Sequence, residues 1–212
     1  MLGGYGLSLF TAPANEPLSL PEAKKQVEVA EDYTYHDEHL TRLIAQSRDT
    51  AERFCGRQII TATWDFYLDQ FPSGSCPIYV PLPRLQSCVI TYVDADGATQ
   101  TWSSANYVVS TSREPGIVRP AYGQTYPIAR YQPDAVKVRF VAGYGTTGAS
   151  VPQGLRGAML LLLAGAFEQR TDVLTGTIVN ELPAVKNLLL QHRVGDEFTQ
   201  YAENRPAYSV SA

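Results

Sequence analysis

The chain is poor in the side chains that most often carry chemistry. Its 212 residues include three histidines, three cysteines, two methionines and two tryptophans. Cys55, Cys76 and Cys88 form an odd set with no CxxC pair. That argues against a disulfide framework and a cysteine-rich metal site, and reads as free thiols, buried or half-buried. No block of like charge occurs, and 17 basic against 21 acidic residues leave a net charge of −4. Such a balance argues against non-specific nucleic-acid binding through a basic surface, while leaving open the passage of DNA past a neutral or acidic wall. Long apolar runs are missing too. The most apolar stretch, 158–167, is too short to span a bilayer. Residues 1–10 have neither the basic start nor the apolar run of a signal peptide. The expectation is a product made in the cytoplasm, with no membrane partner.

What is present is ordinary globular composition: 44% hydrophobic and 18% charged residues, enough for one large domain or one domain with an insertion. The chain is organised around a β-rich block at 57–149, set between helical segments at 18–56 and 150–194. Residues 1–17, rich in Gly and Pro, read as an arm without structure of its own. Residues 195–212 read as a polar, aromatic-dotted tail with too few apolar residues to fold alone.

The first helix is signalled by Ser19 as N-cap, Pro21 in the first turn and Glu22 closing a capping box. A second runs from about Asp37 to Cys55, with Leu40, Leu43, Ile44, Ser47, Ala51 and Phe54 at helical spacing and Gly56 as its stop. A third starts near Pro152. Its apolar residues Leu155, Met159, Leu162, Leu163 and Ala166 mark it as the most buried of the set. A fourth covers about Glu181 to Arg193. Between them, alternation predicts strands at 61–68, 78–80, 87–94, 99–102, 107–110, 116–118 and 135–141. Asp94-Ala95-Asp96-Gly97 is a hairpin turn, and short connections imply antiparallel pairing. The fold class is therefore α+β: a bundle of about four helices with an inserted antiparallel β-sandwich or open barrel.

No catalytic constellation stands out. Gly143-Tyr144-Gly145-Thr146-Thr147-Gly148 matches GxGxxG, but Pro152 delays the helix whose N-terminus would hold a pyrophosphate, so a flexible β-to-α linker is the better reading. His36-Asp37-Glu38-His39 is not HExxH and reads as a solvated helix start. Ser73 lacks a GxSxG setting, and the β block holds no histidine to act as base. No cofactor, metal or enzyme activity is expected.

The β block interleaves Arg113, Arg119, Arg130, Lys137 and Arg139 with Tyr122, Tyr126 and Tyr131. That pattern suits a solvated sheet face, a protein interface, or a nucleic-acid-binding module. The net charge favours the interface over the nucleic acid.

Taken in order, several pieces resemble one family. They are Leu18-Ser19-Leu20, Glu22-Ala23-Lys24, Gly56-Arg57, Thr63-Trp64, Leu68-Asp69-Gln70-Phe71-Pro72, Tyr92-Val93-Asp94-Ala95-Asp96-Gly97, Pro115-Gly116-Ile117-Val118-Arg119-Pro120, Phe140-Val141-Ala142-Gly143-Tyr144-Gly145, Val151-Pro152, Leu182-Pro183 and His192-Arg193-Val194. The chain resembles the head–tail connector, or adaptor, proteins of tailed bacteriophages, in the longer subgroup with a β insertion. The resemblance covers Leu18 to Val194. It implies a structural virion protein at the capsid vertex: a ring of its own copies, expected to be dodecameric, beneath the portal protein. Such a ring extends the DNA channel and docks the downstream stopper or tail-terminator protein, with double-stranded DNA passing through the lumen unread. On this reading Phe198, Tyr201, Arg205 and Tyr208 of the tail are expected to anchor on the portal or a neighbouring subunit. Arg113, Arg119, Tyr122, Tyr126 and Arg130 are expected to form a tail-side interface.

Overall fold

The computed structural model describes residues 5–168 and 183–194. Among them are four helices and two antiparallel sheets, an α+β fold as the sequence predicts. The chain divides into two compact units. One holds residues 5–9 and Trp64–Phe140; the other holds Phe10–Thr63 with 141–168 and 183–193.

The helical unit is built from α1 (Leu20–Gln26), α2 (Asp37–Cys55), α3 (Gln153–Glu168) and α4 (Pro183–Leu190). Ser19 and Glu22 form the predicted capping box at α1. Glu22 also pairs with Arg156 on α3, so one carboxylate caps its own helix and ties it to another. Gly56 ends α2 in the left-handed conformation, where glycine lacks the Cβ clash. Leu40, Leu43, Ile44 and Ala51 of α2 meet Leu155, Ala158, Met159 and Leu163 of α3, with Val185 and Leu189 of α4 closing the core. The third helix is less enclosed than its composition predicts. Leu161 is exposed, and no described residue lies near the position a Cβ would take at Gly157, so among the described residues part of an apolar helix is uncovered.

The other unit carries the smaller sheet and most of the larger one. The larger has the order β1 (Tyr5–Thr11), β2 (Ala62–Leu68), β8 (Val136–Ala142), β4 (Leu85–Val93), β5 (Thr99–Trp102). The smaller runs β3 (Ile78–Val80), β7 (Gly116–Pro120), β6 (Tyr107–Ser110). Val136, Val138, Phe140 and Ala142 alternate inward along β8, the signature of a strand with one buried face. Gly116 of β7 sits against Leu85 of β4, so close that an added Cβ would collide with it. Trp102, Tyr107, Tyr126, Phe71 and Tyr92 stack together at ring-centroid separations of 4.9–5.7 Å. That aromatic cluster draws residues from both sheets into one core.

One expectation is corrected by the sheet. Residues 1–17 are not a structureless arm throughout, because Tyr5–Thr11 forms β1 at the edge of the larger sheet. Pairing with β2 supplies the backbone hydrogen bonds that local sequence, dense in Gly and Pro around it, does not advertise. On β2 the charged Asp65 is only 4% exposed. Arg139 of β8 covers it with two hydrogen bonds of 2.7 Å.

Candidate assembly surfaces

The expected tail-side residues fall at separate places. On the three-stranded sheet, Val108 lies opposite Arg119, and Tyr79 opposite Ile117. Residues opposed in an antiparallel pair share a face, and Ile117 and Arg119 are two apart, so all four belong to one side. Tyr79, Val108 and Arg119 are exposed there, while Ile117 is covered. The other side, with Ile78, Val80 and Val118, is core. Arg113 is exposed on the turn between β6 and β7. Arg130 lies on the long connection before β8, donating its backbone N–H to the Val93 carbonyl, with its guanidinium beside Gly97 of the β4–β5 turn. Tyr122 is fully exposed on the same connection, as are most of Ile128 and Tyr131.

Tyr126 departs from its expected role. Its ring stacks on Phe71 at 5.1 Å, and its hydroxyl donates to the Cys76 carbonyl at 2.8 Å. Burial pushes the phenol well above its ordinary range. Arg139 is likewise committed to Asp65, whose carboxyl the guanidinium holds below the usual value. Both residues hold the fold together. Phe198, Tyr201, Arg205 and Tyr208 lie outside the described residues, as does the chain past Val194. Sequence reading missed exposed apolar residues that the structure displays: Leu7, Leu9 and Phe10 on β1, and Tyr79, Val108 and Ile128 in the β block.

The candidate chemical motifs resolve into packing. Tyr144 donates its N–H to the Ile59 carbonyl, and Thr61 donates to the Gly145 carbonyl, both at 3.0 Å. A Cβ at Gly143 would meet the Thr61 backbone at 2.7 Å, and one at Gly148 would strike the Pro17 carbonyl. The glycine run is thus a fixed segment, not a flexible linker, and the space above its glycines is filled by the chain itself. His36 stands at the start of α2 edge-on to Phe167 at 5.2 Å, with His39 against the same ring at 5.9 Å. Asp37 pairs with Lys24 at 2.7 Å. No group of three or more His, Cys, Asp or Glu able to hold a metal occurs among the described residues. Cys55 is buried and Cys88 half-buried, and burial lifts each thiol to about 11. Cys76, against expectation, is exposed. No described helix is long and apolar enough to cross a membrane.

A denser network secures the exit from α2. Glu52 accepts the backbone N–H of Ile59 at 2.9 Å and the Gln58 amide at 2.7 Å. Arg48 bridges Glu52 at 2.9 Å and Glu16 at 2.7 Å. Burial dominates at Glu52 and raises its carboxyl above the ordinary value, despite these donors.

No protein-family model and no curated protein matches the sequence. Solved structures do match the fold. One is the neck of an empty gene transfer agent particle computed with C6 symmetry: TM-score 0.75, 19% identity, 90% of this chain and 96% of that one. Another is the virion of a native gene transfer agent particle: TM-score 0.74, 19% identity, 89% and 95% of the two chains. A third is the neck of the native particle computed with C12 symmetry: TM-score 0.71, 19% identity, 90% and 96%. At that identity the likeness is one of fold, extending over nearly the whole of each chain.

Proposed function

We propose that the protein is a structural component of a virion neck, an adaptor that forms a ring below the portal and docks the next neck or tail protein. The observation that carries this reading is the fold likeness, which leaves little of either chain unmatched. Two of the matched structures are necks computed with C6 and C12 symmetry, and a twelve-membered ring is the corresponding proposal for this chain. Two features of the molecule agree. The outward apolar side of α3, with Leu161 and Gly157, offers a packing face to a neighbour. A net charge of −4 suits a lumen through which DNA passes without being gripped.

In this proposal the portal, other copies and the downstream neck protein are the partners, and no catalytic step is assigned. Arg113, Arg119, Tyr122 and Arg130 remain the proposed tail-side contacts, now without Tyr126. Phe198, Tyr201, Arg205 and Tyr208 remain the proposed anchors on the portal or a neighbour. The competing reading, a nucleic-acid-binding module on the Tyr/Arg block, is disfavoured, since Tyr126 is engaged with Phe71 and the Cys76 carbonyl and Arg139 with Asp65.

The test is the native mass of the purified chain, alone and mixed with the portal protein of the same particle. A ring-sized complex supports the adaptor. A chain that stays monomeric, ignores the portal and binds DNA with steep salt dependence supports the module instead.

A further inference from the structure

The larger sheet ends in two strands that carry neither charge nor proline, β1 of seven residues and β5 of four. Among the described residues β1 occupies one edge and β5 the other, with β2, β8 and β4 between them. At ordinary strand spacing the two edges lie about 19 Å apart. Exposed edges are normally very short or carry a lysine, a proline, an inward charge or a bulge, because an unprotected row of backbone donors and acceptors recruits other strands. β1 reads Tyr-Gly-Leu-Ser-Leu-Phe-Thr and β5 reads Thr-Gln-Thr-Trp, with no charge and no proline in either. Leu7 is 38% exposed, Leu9 47% and Phe10 56%. Thr99, Gln100 and Thr101 are exposed along β5. A seven-residue uncharged strand with two exposed leucines on alternate positions is a poor edge to leave in water.

We infer that the occupant of the β1 edge is a second copy of this chain, which offers its β5 edge. The two surfaces are different, they lie at opposite ends of one sheet, and neither carries charge that would repel the other. A contact of that kind is heterologous: each copy gives one edge and receives at the other, so repetition produces a closed ring or an open filament. Main-chain hydrogen bonds supply the pairing, and the Leu7 and Leu9 side chains gain cover from the neighbour. This inference rests on the ring proposed above and names the surfaces that would build it. It also gives β1 a reason to be uncharged that the isolated chain does not.

Disulfide trapping tests it. In a Cys76→Ser background, cysteines are placed in β1 (Leu7→Cys, Ser8→Cys or Leu9→Cys) and in β5 (Gln100→Cys or Thr101→Cys). Each chain is mixed with the portal protein and oxidised. Chains carrying one cysteine in each strand are expected to give a ladder of cross-linked multimers. Mixing a β1 single variant with a β5 single variant should give dimers and nothing larger. Cross-linking of β1 single variants with themselves would show a twofold contact and overturn the inference. So would a ring that forms normally while no β1–β5 combination cross-links, and that result would leave the adaptor reading standing. A wild-type chain that forms no ring removes both. As an independent measure, Leu7→Lys with Leu9→Lys should weaken ring formation at least about tenfold, with unchanged near-ultraviolet circular dichroism. Undiminished assembly of that variant would also count against the edge contact.

Discussion

Arg139 donates from Nε and from Nη2 to the two carboxylate oxygens of Asp65, each at 2.7 Å, across 74 residues of sequence. The pair joins β2 to β8 on the face opposite Phe140 and Val138, which are fully buried. Asp65 is nearly sealed from solvent, so its charge is tolerated because the guanidinium fork satisfies both oxygens.

This geometry sets a pH response. Arg139 lowers the Asp65 carboxyl below its ordinary value of 3.8, so the folded state binds that proton less readily than the unfolded state. The resulting stabilisation is complete above 3.8 and is lost as pH falls through the lower folded value. Thermal melts followed from pH 6 to pH 2 should therefore show a drop in Tm at the acid end. Asp65→Asn should melt lower at neutral pH and show a shallower acid limb. An identical limb in the variant would remove Asp65 from the account.

Glu52 makes a different prediction, because its oxygens serve backbone as well as side chain. Glu52→Ala would leave the Ile59 N–H and the Gln58 amide without their acceptor and remove one of Arg48's two carboxylates. Breaking such a buried set costs about 2–4 kcal/mol. Urea unfolding monitored by far-ultraviolet circular dichroism measures it. A loss of less than about 1 kcal/mol would mean that water replaces the carboxylate at little cost.

Gly143 has a backbone φ of 133°, and a Cβ there would approach the Thr61 Cα and N at 2.7 Å. Gly143→Ala should lower stability by about 1–3 kcal/mol through strain and displacement of the Ile59–Thr61 segment. Gly157→Ala is the control, since no described residue crowds that position. It should be neutral or slightly stabilising, as alanine favours helix. Equal stability of Gly143→Ala and Gly157→Ala, read by calorimetry, would contradict the packing described at the glycine run.

The contrast among these residues explains what the sequence displays and what it hides. Local signals were readable: the Ser19–Glu22 box, the apolar spacing and Gly56 stop of α2, and the Asp94–Gly97 turn between β4 and β5 all depend on residues a few positions apart. The Asp65–Arg139 pair, the Glu16–Arg48 bridge and the Gly148–Pro17 approach join distant segments, and no local pattern encodes them. In β1 the alternation Tyr5, Leu7, Leu9 was legible, but the Gly/Pro-rich surroundings outweighed it. Tyr126 looked like its exposed neighbours Tyr122 and Tyr131 because only the fold turns it towards Phe71 and Trp102.

That difference between tyrosines separates stability from assembly. Tyr126→Ala removes a ring from the aromatic cluster and a hydroxyl donor to Cys76, and should cost about 3–5 kcal/mol. Tyr122→Ala removes a fully exposed ring and should leave the melting temperature unchanged. Arg113→Ala, Arg119→Ala and Arg130→Ala together should also leave the fold intact, since these exposed guanidiniums form no ion pair with a described residue. If they and Tyr122 meet the downstream neck protein, the combined variant should still join the portal ring yet recruit that protein weakly. Sedimentation of reconstituted necks reads both steps. Loss of the ring itself would assign the arginines to contacts between copies. Full recruitment would remove the β block's arginines from the tail side and leave its exposed apolar residues, Ile128 and Tyr131 among them, as the docking surface to test next.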